Sequence, residues 1–586
     1  MSAGESQSPP KQAQSLVGVL RFLGAYPGAV LLSVALLLVN LALELALPQV
    51  LGEAITNLSW HVQWRAEFQP GVYAALLGSL VLVRAGVAIL LGPIRNRLIQ
   101  RVLADIRAAI YDAIQRLAFH YHDKTNTGEL ISRSTTDVWR LQDFLFACLF
   151  LSLDIAVALV ATVALIFSVS AALGLVALAT MAPTIGLIAY FARQLQPRWR
   201  KIHDLHGAMT TVIQENIAGV RVVKAFAQEP AEIAKFRGRR DEFLRTLTDA
   251  VNFWAARVPF AQFIFGLSVP LVLWIGGNRV IHGQLALGGL AMVVFYLMAI
   301  GHRMGMIGQF TSILQNAGAS AARVLEVVNE PQGLVSGSQA MPRGGGEVRF
   351  ESVSFRYFDG KASLSEVSFV APAGQTTAIV GPTGSGKTTL VNLIPRFYDA
   401  SAGCVRVDGV EVRELNLRQL RTAVGVIFQE TFLFSATVAE NIAYGRPTAT
   451  REQIEAAAKA AQAHEFILEL EAGYETVVGE RGVTLSGGKK QRITMARAFL
   501  LDPRILILDD ATASVDPQTE RLIRQAMRRL CAGRTTFVIA HRLATVQEAA
   551  QILVLNEGRL VERGTHAELI GRSGFYREVF QHQIHG

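Results

Sequence analysis

The chain is predicted to fold as a membrane α-helical domain with six transmembrane helices and long cytoplasmic extensions, followed by an α/β domain. Three observations predict this. Long apolar stretches crowd into the first 330 of 586 residues, two strongly basic segments separate some of them, and an alternating strand pattern begins at Glu347. Overall, 51% of residues are hydrophobic and the mean hydropathy is +0.32, and the excess lies in the first half.

Phe22 to Leu43 carries no formal charge, which suits one crossing. Gly71 to Pro93 is broken only by Arg84. Ile155 to Ala192 is uncharged and long enough for two crossings, with a turn expected near 168–172. Val258 to Asn278 and Ile281 to His302 complete the six. Arg95 to Arg140 holds eight basic residues and Arg193 to Arg257 holds twelve, whereas Trp60 to Gln69 has Arg65 alone. The two basic segments are therefore expected in the cytoplasm, with both termini on that side of an inner (cytoplasmic) membrane. No compact hydrophobic stretch with a cleavage site occupies the first 20 residues, so a secretory signal is not expected there. The segment 16–22 reads as an interfacial helix.

Three scattered cysteines are too few for a disulfide framework or a metal cluster. The net charge of +9 raises nucleic acid as a partner, but much of the basic charge flanks the spans, where anionic lipid accounts for it. A membrane partner is expected and a nucleic acid is not.

Residues 1–330 form the expected membrane domain, 331–346 a Gly-, Ser- and Pro-bearing linker, and 347–586 the second domain. Glu347 to Tyr357 alternates as a half-buried strand. Val102 to His120 and Met209 to Phe226 have helical spacing and should project below the bilayer. Their tips, near 121–128 and 227–230, are expected either to dock the second domain or to be solvated hairpins; docking is favoured because a powered membrane unit needs a mechanical contact.

Thr376 to Val380 is a short apolar strand running into Gly381-Pro-Thr-Gly-Ser-Gly-Lys-Thr388, which matches G-x-x-x-x-G-K-[ST] at every fixed position. The second domain is thus an α/β P-loop nucleotide-binding fold. Gly381, Gly384, Ser385 and Gly386 would let backbone N–H groups wrap phosphate, Lys387 would neutralise its charge, and Thr388 would face Mg2+, with Thr389 beside it. Asp509, closing the strand 505–508, is the expected magnesium-side carboxylate and Asp510 the group holding the attacking water. Tyr357 has two readings, a base-stacking platform or core packing. His541, ending the strand 536–540, is placed to contact the γ-phosphate or the water.

With these motifs the chain resembles a half-transporter of the ATP-binding cassette superfamily, exporter type. Leu485-Ser-Gly-Gly-Lys-Lys-Gln-Arg492 resembles the family signature, and Gln429 in 426–430 the loop that senses magnesium and faces the membrane domain. Ser514-Val-Asp516 resembles the segment crossing between cassettes, His541 the switch histidine and Tyr357 the base-stacking aromatic. Val478-Gly-Glu-Arg-Gly482 resembles the segment that meets the coupling helices, while 119–130 and 223–229 resemble the two coupling regions. The resemblance implies that two cassettes close head to tail around two ATP molecules. Ser486, Gly487 and Gly488 would then cap the ATP of a partner half-transporter.

The family usually has glutamate where Asp510 stands. One methylene less pulls the carboxylate back, and a misplacement of roughly 1 Å can cost about 100-fold in rate. The site at Asp510 is therefore expected to bind ATP and hydrolyse it slowly, as in halves of heterodimers, with a homodimer as the alternative. Export of a hydrophobic or amphipathic drug, lipid or peptide is the expected function. The alternatives are an importer of a metal chelate and an ATP-gated channel or regulatory subunit. Glu44, Arg84 and Asp154 interrupt or border the spans; they are expected to bind cargo, to pair with one another, or to snorkel.

Overall fold

The computed structural model describes residues 9–64, 69–331, 333–357, 360, 362–429, 431–479, 485–509, 517–540 and 546–578. Asp510, His541 and the segments 480–484 and 514–516 lie outside the described residues. The chain forms two compact units, Met1–Gln115 with Thr127–Glu330, and Arg116–Asn126 with Pro331–Gly586.

Among the described residues of the first unit, six helices are long and apolar enough to cross a membrane: Pro27–Val62, Pro70–Arg116, Thr127–Val169, Ala171–Ala218, Glu229–Ile281 and Leu287–Ile307. A spanning segment has no water to satisfy its N–H and C=O groups, so the helix, which pairs them internally, is what such sequences adopt. Leu31, Leu82 and Val160 remain 70%, 74% and 72% exposed, as side chains that face lipid do. The turn expected near 168–172 is Ser170, flanked by helices on both sides. At the other end the helices continue far past membrane length; Ala171–Ala218 runs along Glu229–Gly266, and the last span extends unbroken to Asn329. Before the first span, Pro9–Leu20 is a separate short helix that packs against the extension of the last span, with Gly18 beside Leu325.

The core of the first unit lies between the third to sixth spans, around Tyr296, whose hydroxyl donates to Leu45 O at 2.8 Å. Farther down, a π-helical turn at Arg133–Asp137 carries Asp137 to the extension of the last span. There the buried carboxylate accepts bonds from Ser320 Oγ (2.9 Å) and from Arg323 Nε (2.8 Å).

The second unit contains two sheets. Its strands are β1 (Val348–Arg356), β2 (Ala362–Ala371), β3 (Thr376–Val380), β4 (Ala402–Val407), β5 (Val410–Glu411), β6 (Val424–Ile427), β7 (Ile505–Asp509), β8 (Thr535–Ile539), β9 (Gln551–Asn556) and β10 (Arg559–Gly564). An antiparallel sheet has the order β2-β1-β4-β5; a second sheet, order β10-β9-β3-β8-β7-β6, is parallel except for β10. The parallel strands are near-continuous apolar runs because both faces are covered. On one face Phe350 stacks on Phe369, which meets Phe537 edge-on, and Phe466, Tyr474 and Ile493 belong to the helical core on the other.

The segment 116–126, which lies within residues 1–330 and overlaps the tip expected to dock, groups with the second unit. Aromatic packing explains this. Phe119 stacks on Phe397 with centroids 4.4 Å apart, and the Tyr398 hydroxyl donates to Asp123 Oδ2 at 2.5 Å. Burial, together with that hydrogen bond, holds the Tyr398 phenol well above its ordinary range. The other tip is a tight turn in the first unit, with Ala227 at φ +53° and Lys224 Nζ 2.7 Å from Glu229 Oε1.

Candidate functional site

Parallel strands align the candidate residues on one sheet edge. β3 and β8 are neighbours with Ile379 level with Ile539, and Asp509 of β7 is level with Ile539. Ile427 at the end of β6 is level with Leu508. The phosphate loop after β3, the carboxylate ending β7, the end of β8 and Gln429 after β6 therefore lie at the same carboxyl-terminal edge, where open α/β sheets bind ligands.

The loop's shape depends on its glycines and on a hairpin distant in sequence. Gly384 and Gly386 have φ +82° and +100°, in the left-handed region that favours glycine. A Cβ on Gly386 would lie 2.6 Å from Ser363 O, and one on Gly381 would lie 2.1 Å from Leu555 O. The β9–β10 turn closes against the loop, Gly558 N donating to Ser385 O at 3.2 Å. Sequence reading missed both Ser363 and Gly558. Ser363 Oγ lies 2.8 Å from Thr389 Oγ1 and so fixes the first turn of the helix that follows, Lys387–Asn392.

Lys387 is buried, and its Nζ donates to Gly381 O (2.8 Å) and Pro382 O (2.9 Å). Burial lowers its pKa, opposed by the Asp509 carboxylate. Thr388 is exposed, whereas Thr389 is buried and its Oγ1 lies 3.0 Å from the Tyr357 hydroxyl. Tyr357 also meets Phe355 and Tyr398 edge-on, at 4.8 and 5.6 Å between centroids, so part of its ring is engaged in packing. Ser385 Oγ is buried with no hydrogen-bond partner. A glycine cradle, a buried lysine, an orphaned hydroxyl and an exposed threonine at a helix start fit a triphosphate and its metal. Gln429 is exposed and Asp509 partly buried. Among the described residues no group of three His, Cys, Asp or Glu side chains could hold a metal on its own.

The signature residues sit at the start of the helix Gly487–Leu501. Ser486 is its N-cap, with φ −64° and ψ 157°, yet its exposed side chain bonds none of the helix's free N–H groups. Nothing lies within 4 Å of a Cβ built on Gly487. Behind it Gly488 is buried, and Arg492 anchors the helix by donating to Gln462 O at 2.7 Å and lying over the Phe466 ring. The positive end of the helix is open.

In the first unit, four charged residues of the spans form one cluster. Arg303 donates to Glu44 (2.9 and 3.1 Å) and to Asp154 (3.0 and 3.4 Å), and Arg84 donates to Glu44 at 2.8 Å. Of the three readings, pairing with one another describes Glu44 and Arg84, whereas Asp154 pairs with Arg303, outside that set. Arg303 was missed because it stands one residue beyond the last uncharged stretch.

Residues 30–304 match the family model of the ABC transporter transmembrane region, and residues 364–513 match that of the ABC transporter. A fatty acid ABC transporter ATP-binding/permease protein of Mycobacterium bovis is 38% identical, over 83% of this chain and 77% of its own length. An ATP-dependent lipid A-core flippase of Syntrophus aciditrophicus is 36% identical, over 86% of this chain and 84% of its own. Among solved structures, a bacterial Atm1-family ABC exporter with ATP bound matches with a TM-score of 0.78 at 27% identity, over 98% of this chain and 99% of its own. With six spans ahead of one ATP-binding domain, the chain is a multipass membrane protein and belongs to the ATP-binding cassette transporters, as an exporter-type, ATPase-coupled half-transporter with both domains fused.

Proposed function

We propose that this chain is one half of a dimeric exporter that moves a hydrophobic or amphipathic drug, lipid or peptide across the cytoplasmic membrane by alternating access. Its partner is a second, different half-transporter. The observation that carries the dimer is the open signature helix: an N-cap serine that caps nothing, next to a glycine with empty space beside it. Exposed N–H groups at a helix start attract phosphate, and here no side chain of the N-cap residue occupies them. The printed names of the similar proteins, a lipid flippase, a fatty acid transporter and an exporter, support the direction and the lipophilic cargo.

In this reading Gly381, Gly384, Ser385 and Gly386 wrap the phosphates with backbone N–H groups, Lys387 neutralises them, and Tyr357 supports the base. Thr388, Gln429 and Asp509 would hold Mg2+, which supplies charge neutralisation between the phosphates. Ser486, Gly487 and Gly488 cap the nucleotide of the partner cassette. Asp510 and His541 position the water, with Asp510 too short to do so efficiently. Closure of the two cassettes biases the spans toward opening outward, and hydrolysis releases them. The segment 116–126, packed against Phe397 and Tyr398, transmits that movement to the second and third spans. Both termini and the cassette lie in the cytoplasm, on the side of the basic segments.

ATP turnover by the purified chain, alone and with a candidate partner half, tests the asymmetry. Slow turnover alone, a gain in Asp510→Glu, and stimulation by the partner are expected. Robust turnover by the chain alone, lost in Asp510→Asn and indifferent to a partner, would identify a homodimer with a competent site. Uptake into inside-out vesicles tests direction, and nucleotide-dependent conductance without net movement would overturn export.

A further inference from the structure

A cavity of about 440 Å³ opens between the first, third and last spans, lined by Gln49, Glu53, Thr56, Asn57 and Ser168 among others. It lies toward the end where the spans are joined by short connections, away from the long extensions. Glu53 stands nine residues beyond Glu44 on the same helix, roughly 14 Å along its axis at 1.5 Å per residue. The volume is in the range of pockets that take small organic ligands.

The hydroxyl groups of the wall serve it as acceptors. Thr56 donates its hydroxyl proton to Gly52 O at 3.0 Å, and Ser168 donates its own to Leu165 O at 2.7 Å. Asn57 Nδ2 donates one N–H to the Tyr73 hydroxyl. Both hydroxyl protons are thus spent within the protein, while lone pairs on Thr56, Ser168 and the Asn57 amide oxygen remain. Glu53, an acceptor only, adds a full negative charge. No hydrogen bond or ion pair reaches its carboxylate among the described residues, and no described cation lines the cavity. Arg279, at the end of the fifth span, is turned to Ser170 Oγ at 3.2 Å.

The contrast with the neighbouring charges is sharp. Glu44 and Asp154 share two guanidiniums, so that cluster of two carboxylates and two cations is neutral by itself. Glu53, exposed where the cavity opens, has no such compensation. A carboxylate without a counter-ion beside hydroxyl acceptors suits a donor-bearing cation. The walls are also held in place. A Cβ on Gly288 would fall 1.7 Å from Gly52 O, so the first and last spans meet backbone to backbone beside Glu53.

From this we propose that the cavity binds the primary ammonium headgroup of an amphipathic molecule, with Glu53 as its counter-ion and the Thr56 and Ser168 oxygens as acceptors. A primary ammonium brings three N–H donors; a quaternary ammonium brings charge without them. The assignment rests on the export reading above, whose cargo class it narrows.

The test uses the full-length chain in nanodiscs of phosphatidylcholine and phosphatidylglycerol, which carry no primary amine. Binding of radiolabelled dodecylamine above its partition into empty nanodiscs should be saturable, and at least tenfold weaker in Glu53→Gln. Dodecyltrimethylammonium should compete at least tenfold less well. Retained nucleotide binding shows that the variant is folded, and Thr56→Val, expected to weaken binding severalfold, is read beside it. Equal binding by wild type and Glu53→Gln, no saturable component, or equal competition by the quaternary amine would overturn the proposal. Nanodiscs containing phosphatidylethanolamine separate the sources: a Glu53-dependent fall in dodecylamine affinity identifies a lipid headgroup, and an unchanged affinity identifies a free amine. ATP-driven movement is measured in parallel vesicles. Glu53-dependent binding without movement would leave the site and remove export, whereas movement of a neutral amphiphile without saturable amine binding would leave export and remove the site.

Discussion

Replacing Arg303 by methionine should destabilise the membrane unit severely, and a second substitution should repair much of the damage. Arg303 is 11% exposed in its side chain, against 19% for Glu44 and 23% for Asp154. It makes four of the five hydrogen bonds that join this cluster, from the last span to the first and third. Its loss leaves Glu44 with Arg84 and strips Asp154 of its guanidinium partner, turning a neutral set into one of net charge −1. Breaking a buried pair by removing one partner costs about 3–5 kcal/mol, because an uncompensated charge stays behind. At roughly 2 °C per kcal/mol for a large domain, the melting temperature should fall by about 6–10 °C. Adding Asp154→Asn removes the stranded charge, so the double variant should recover half or more of that loss, a coupling typical of side chains in one network. Thermal unfolding of the four proteins in nanodiscs, followed by intrinsic fluorescence, makes the comparison. A melting temperature for Arg303→Met within 1 °C of wild type, or a double variant that loses the sum of the single losses, would refute the reasoning.

Three further outcomes follow from the second unit. Gly386→Ala places a Cβ 2.6 Å from Ser363 O at a φ of +100°, and strain of about 1–3 kcal/mol should distort the phosphate loop and weaken nucleotide binding at least tenfold by fluorescence titration. Tyr398→Phe removes the hydrogen bond to Asp123; a bond to a charged group is worth about 1.5–3 kcal/mol, so amide exchange in 119–124 should quicken roughly tenfold or more. Burial pushes the Cys531 thiol up to about 11, so it stays protonated at pH 8. Maleimide, which needs the thiolate, should label it about 100-fold more slowly than an ordinary thiol, and mass spectrometry should show labelling rise as pH climbs. Because this acidic group's folded value is raised, its contribution to stability is present below the ordinary thiol value and is lost as pH rises toward 11.

Much of the fold was legible because it rests on local signals. Spans declare themselves by length and absence of charge, and Thr376–Val380 with Gly381–Thr388 is a contiguous strand, loop and helix start. The signature was equally readable, since Ser486 and the glycines behind it sit next to each other in the chain. Other features were not legible because they join distant positions. Ser363 and Gly558 support the phosphate loop from 20 or more residues away in either direction, and neither belongs to a motif. Residues 116–126 read as part of the membrane half, since helices flank them; their aromatic partners, Phe397 and Tyr398, lie some 275 positions on.

The sequence by itself determined that this is a membrane-spanning ATP-binding cassette half-transporter, since apolar length and the spacing of a phosphate loop are properties of short segments. It also exposed Asp510 as the shorter carboxylate, a matter of identity alone. Only the tertiary structure decided which charges are neutralised and which are left over. Glu44, Asp154 and Glu53 look alike in the sequence, each a carboxylate in or beside an apolar span. Packing of the first, second, third and last spans gives Glu44 and Asp154 their guanidiniums and gives Glu53 a cavity without one. Electrostatic compensation acts over a few ångströms of space, and three-dimensional proximity is what a linear sequence does not carry.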